Sequence, residues 1–152
     1  MYLISYRGNI LGVDEQKENK PYQVTEVIRM GFHCWIDVWW HEEQFWLGTH
    51  KPKYPVKPSF INMFSLWSNA MNFETLLKLK EYKSPHCFYY KGEPLLTDGG
   101  HIITDQLIEG YEGDTLLLTE DYEYASLPLK GIVSENILSF KEAIPFALAE
   151  FI

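Results

Sequence analysis

The chain has 152 residues and a formal net charge of −8. Such an acidic surface repels phosphate backbones over long range, and no run of Lys and Arg interrupts it, so nucleic acid is not expected as a partner. Apolar residues make up 46% of the chain and aromatic residues 16%, enough to exclude intrinsic disorder and to fill one core in a single domain, 1–152.

Tyr2 to Tyr6 is a short β-forming run closed by Arg7-Gly8-Asn9, which reads as strand then loop. The charged stretch Asp14 to Lys20 has no periodicity and reads as loop. Pro21 suits a first helical position, Val24, Val27 and Ile28 follow at helical spacing, and Gly31 can stop the helix. Cys34 to Trp40 is the next strand, and Phe45 to Gly48 returns as a hairpin arm after the polar link His41 to Gln44. Pro52, Pro55 and Pro58 point to an extended loop over 51–58. Met63 to Ser68 reads as a third strand, Asn72 as the N-cap of a helix carrying Leu76 and Leu77, and His86 to Tyr90 as a fourth strand. Asp98-Gly99-Gly100 is a short-turn signal between Leu95-Leu96-Thr97 and His101 to Thr104. Thr115 to Thr119 and Gly131 to Ser134 complete the strands. Ser139-x-x-Glu142 has the form of a capping box for a last helix, in conflict with Pro145, where that helix could itself start.

Early alternation of strand and helix argues for a parallel α/β sheet, either open or closed into a barrel. Cys34 and Cys87 lie in apolar runs without a Cys-x-x-Cys pair, so no zinc or redox motif is supported, and two such thiols fit a reducing compartment. Residues 1–10 are too short and polar for a signal peptide, and no apolar run approaches a membrane span. The expectation is a cytoplasmic protein without a membrane partner.

Three stretches carry a family resemblance: Ile4-Ser5-Tyr6-Arg7-Gly8-Asn9, Trp35-Ile36-Asp37-Val38-Trp39 and Leu47-Gly48-Thr49-His50-Lys51-Pro52. Their order and spacing resemble the opening of the glycerophosphodiester phosphodiesterase-like family, within the PLC-like phosphodiesterase superfamily, which has His-Arg-Gly, Glu-x-Asp and Gly-His-Asp there. The likeness continues at Leu66 to Asn72, at His86 to Tyr90, at Leu117 to Glu120 and at Gly131 to Asn136. It implies a TIM-type (β/α) barrel, here short or incomplete because a full barrel takes about 250 residues. Such a barrel could be closed by association into a homo-oligomer.

The resemblance also shows what has changed. Tyr6, Trp35 and Thr49 stand where a catalytic His, a metal-binding Glu and a second His are expected, and Met71 where a Lys is expected. A phenol is a poor proton shuttle at neutral pH, and an indole cannot hold a metal. Arg7 is read as a phosphate clamp or as the partner of Asp37 in an internal salt bridge. Tyr6 and Trp35 are read as an aromatic floor beside it or as core packing. Asp37 and Glu120 are candidate metal ligands, Asp37 equally a buried acceptor for Arg7. His50 and Tyr6 are the candidate catalytic groups, His50 equally an ordinary surface side chain. Three functions follow. The first is a catalytically degenerate domain, without a cofactor, that binds a phosphate-bearing small molecule or a protein. The second is an active phosphodiester hydrolase rebuilt around Arg7, Asp37, His50 and Glu120 with magnesium or calcium. The third is a structural or interaction scaffold.

Overall fold

The computed structural model describes residues 1–144. β1 (Tyr2–Tyr6) is buried along its middle on both faces, as expected of a strand inside a parallel sheet. Its chain returns through α1 (Pro21–Arg29), with Pro at the start and Val24 and Val27 turned to the core. The helix stops where Gly31 takes φ +93°. There the Gly31 N–H donates to the Ile28 carbonyl and the Phe32 N–H to that of Val27, the paired bonds of a Schellman motif.

β2 (His33–His41) lies parallel to β1. β3 (Gln44–Leu47) folds back on it, and β4 (Tyr54–Val56) adds to β3. The proline stretch therefore is not all loop. Pro55 is tolerated because β4 is an edge strand, and Pro58 opens the short α2 (Pro58–Ile61). β5 (Leu66–Ala70) starts later than its sequence suggests, after a turn in which the Leu66 N–H donates to the Met63 carbonyl. α3 (Phe73–Glu81) is capped by the Asn72 side chain, which accepts from the Thr75 N–H. β6 shrinks to Cys87–Phe88, β7 is Leu95–Leu96, and β8 is Ile102–Thr104. β9 (Thr115–Leu118) and β10 (Gly131–Ser134) follow, linked by loops and short 3₁₀ turns. α4 (Ile137–Ala143) begins before Ser139, so that serine caps nothing. Pro145 lies outside the described residues.

The result is a mixed α/β fold with one ten-stranded sheet. Seven strands run parallel in the order β6-β5-β2-β1-β10-β9-β8. Thus β1 sits between β2 and β10, the last strand among the described residues, and the order is otherwise sequential. Among the described residues β6 and β8 share no pairing, so the sheet is not closed into a barrel.

The sheet is nevertheless strongly curled. Ile4, Trp35, Trp67, Phe88, Ile103, Leu116 and Val133, one from each parallel strand, form one buried cluster. Trp67 on β5 reaches within 5.4 Å of the His101 ring beside β8, although four strands separate β5 and β8 in the row. The alternate side chains Leu3, Cys34, Ile36, Leu66, Leu117 and Ile132 join Val24 and Val27 of α1, Leu79 of α3 and Phe140 of α4 in the outer core. The period of two along each strand thus divides the apolar residues between an inner and an outer layer.

Candidate functional site at the strand ends

Arg7 follows β1 directly and takes a left-handed backbone (φ +63°), with Gly8 at +89°. A left-handed non-glycine costs about 1–2 kcal/mol, and the surrounding hydrogen bonds hold it. The Arg7 N–H donates to the Trp35 carbonyl, extending the β1–β2 ladder, and the Arg7 carbonyl accepts from the Asn19 N–H. The Asn9 N–H and its side-chain amide both donate to the Tyr6 carbonyl. The strand therefore ends with the arginine turned across the top of β2.

There it meets Asp37, 0% exposed. Arg7 Nε lies 2.6 Å from Asp37 Oδ2. Asn19 Nδ2 donates to the same oxygen at 3.0 Å. Trp35 Nε1 and Asn69 Nδ2 donate to Oδ1, each at 3.1 Å. Four nitrogens thus surround one carboxylate. Asn19 also accepts the Asp37 N–H at 2.8 Å and donates to Thr49 Oγ1 at 3.0 Å. Asn69 accepts the Tyr90 N–H at 3.0 Å. One hydrogen-bonded unit therefore ties the ends of β1, β5 and β6 and the middle of β2 to the loop before α1.

Arg7 and Asp37 thus meet as an internal salt bridge across the adjacent parallel strands β1 and β2. Glu18 adds a second carboxylate, 3.9 Å from Arg7 Nη1. The Tyr6 ring lies 4.6 Å from Arg7 Cζ, within cation–π range. Burial alone would lower the Arg7 pKa, but Asp37 beside it raises it, so the guanidinium stays charged. Burial pushes the Tyr6 phenol up to about 12, which leaves it a proton donor at best near neutrality. Burial also raises Glu135, with Glu120 and Glu18 adding to the effect and Arg7 opposing it.

The remaining predicted residues fall in different places. Trp35 is 1% exposed, packed edge-on to Phe88 and Tyr90, and presents no free face to a ligand. His50 is exposed, in a surface hollow of about 320 Å³ with Glu15, Glu18, Thr49, Lys51 and Lys53. Glu120 accepts from Ser134 Oγ, the Glu135 N–H and Asn136 Nδ2, and so fastens the turn after β10. Met71 Sδ lies 3.6 Å from Asn69 Nδ2. A hard cation needs several open oxygens. Asp37 has each oxygen engaged twice and Glu120 is spent on its turn, so these residues do not fit magnesium or calcium as they stand. Among the described residues no three His, Cys, Asp or Glu side chains group as a metal site.

Two members of the unit carry no motif of their own. Asn19 belongs to the stretch read as charged loop, and Asn69 follows the strand read over Met63 to Ser68, although the structure places it in β5. The available signal was Asn69 itself, since an asparagine inside an apolar strand is disfavoured unless its amide is used. Comparisons with known protein families, with curated proteins and with solved structures return no match.

Proposed function

We propose that the chain is a catalytically silent phosphodiesterase-like domain, an incomplete (β/α) barrel, that works as a binding module. The observation that carries this reading is the saturation of Asp37. The carboxylate that would hold a metal ion is instead ion-paired with Arg7 and accepts from Asn19, Trp35 and Asn69. Tyr6 cannot replace a histidine as base, and Thr49 spends its hydroxyl on Asn19. The strand order, with β1 between the second and last strands, supports the barrel part of the reading.

The ligand proposed is a phosphate-bearing small molecule entering beside Arg7. The Arg7 side chain keeps 22% exposure, and the hollow lined by His50, Lys51 and Lys53 adjoins it through Glu18. Glu15 and Glu18 oppose an anion there, so binding is expected to be weak and salt-sensitive. Calorimetry with glycerophosphodiesters and nucleotides tests it. Arg7→Ala is a poor variant, because it strands a buried carboxylate. Lys51→Ala with Lys53→Ala leaves the buried unit intact and should weaken binding by about tenfold. Hydrolysis of glycerophosphodiesters with magnesium or calcium should stay at background. Metal-dependent turnover would favour the rebuilt hydrolase. No binding of any phosphate compound would leave the interaction scaffold.

A further inference from the structure

β6 and β8 end the parallel row, and among the described residues no backbone pairing joins them. Side chains bridge the gap at the end where these strands begin. Trp67, on the inner face of β5, is the centre. His86 precedes β6 and stacks on the indole, with ring centroids 3.9 Å apart and planes within 8°. His101 precedes β8 and meets the same indole edge-on at 5.4 Å. These imidazoles, one from each side of the gap, are 6.4 Å apart. His33, the first residue of β2, accepts at Nδ1 from Trp67 Nε1 at 3.0 Å. Tyr2 rests on His33 and Trp67, and Phe64 on His33 and His86.

We infer that this histidine cluster is a pH-sensitive latch, in which neutral imidazoles hold the two ends of the sheet together and their protonation opens the gap between β6 and β8. A protonated His33 carries a hydrogen on Nδ1 and can no longer accept from Trp67. His86 Nε2 is buried without a hydrogen-bond partner, so a charge there has no acceptor. Charging His101 as well sets two like charges across a gap that no backbone bond holds.

The surrounding charges do not reverse this. Asp98 favours a charged His86, but burial, His101 and His33 oppose it and push it down to about 4. Burial lowers His101, Lys130 adds to that, and Asp114 opposes it. Burial lowers His33. The Met1 ammonium also lies beside Lys130. The indole face attracts a cation, yet the direction for His86 remains downward. Once the gap opens, these rings return toward the ordinary value of about 6.5 and bind more protons than in the closed form. The closed form is therefore at full strength above about pH 6.5 and weakens as the pH falls toward about 4.

Hydrogen exchange followed by mass spectrometry at about pH 7.5 and about pH 5, corrected for intrinsic rates, tests this on the intact chain. Protection over 85–104 should fall by at least about tenfold at the lower pH, as follows when one imidazole titrates at about 4 in the closed form and near its ordinary value of about 6.5 in the open one. Protection over β1 and β10 should hold. A His86→Phe, His101→Phe double variant keeps both rings and should shrink the pH effect to what His33 alone carries. Should that variant fail to fold, imidazole titration by NMR in the unaltered chain decides, with His86 expected to titrate well below the ordinary imidazole value of about 6.5. Unchanged protection, equal loss across the sheet, a pH effect undiminished in the double variant, or His86 titrating at the ordinary imidazole value would each overturn the latch.

Discussion

Asp37 is the residue on which the candidate site turns. It is buried, charged and held by Arg7 Nε at 2.6 Å and by three neutral donors. Burying such a pair costs desolvation, and breaking it leaves one charge stranded. Asp37→Asn should therefore destabilise the fold by about 3–5 kcal/mol in urea unfolding. Asn19→Ala, which removes only neutral partners, should cost about 1–3 kcal/mol. An Asp37→Asn protein as stable as the wild type would show that Arg7 does not need its counter-charge. Arg7 and Asp37 were legible in the sequence because each sits in a short motif, Arg7 just after a strand and Asp37 inside one. Asn19 and Asn69 were not, because their role depends on where a loop and a neighbouring strand bring them, and local sequence says nothing of that register.

Local chemistry was most readable where the element is decided locally. Gly31 after α1, Asn72 before α3 and the Asp98-Gly99-Gly100 turn each occupy the position their backbone needs. Gly31→Ala places a Cβ in the left-handed region and should cost about 1–2 kcal/mol in thermal unfolding. The β2–β3 hairpin was harder to read. Its two-residue turn is Glu42-Glu43, both at positive φ (50° and 58°), where Asn-Gly is preferred. Changing the pair to Asn-Gly should stabilise the protein by about 0.5–1 kcal/mol, and an unchanged melting temperature would contradict it. The extents of β5 and β6 were misread because apolar aromatics such as Phe64 and Tyr90 look like strand residues even where no neighbouring strand pairs with them.

At the scale of the whole molecule, the alternation of early strands and helices gave the parallel sheet. No helix could be read between the strand at His86 to Tyr90 and that at Gly131 to Ser134, and among the described residues no α-helix forms there, so the closure of the sheet stayed undecided. The link from β6 to β7 runs through exposed Lys91, Gly92 and Glu93 at the open side of the sheet. A flexible insertion at Gly92 should cost under about 1 kcal/mol, since loop closure grows slowly with length. The same insertion at Gly8 would separate Arg7 from the bonds that hold it and should prevent cooperative unfolding from being seen at all. Comparable melting curves for the two insertions would show that the strand-end unit is not a keystone.

The central place of β1 has a consequence for the protein's birth. Tyr2 pairs with Gly131 on one side, while Ile4 pairs with His33 on the other. A ribosome adding roughly 5–20 residues each second makes the second partner several seconds or more after the first. Until then β1 has one bare edge, and the nascent chain carries a half-paired apolar strand while residues 42–130 are made. Factors that shield emerging chains should therefore raise its soluble yield more than slower cooling or a longer refolding time does.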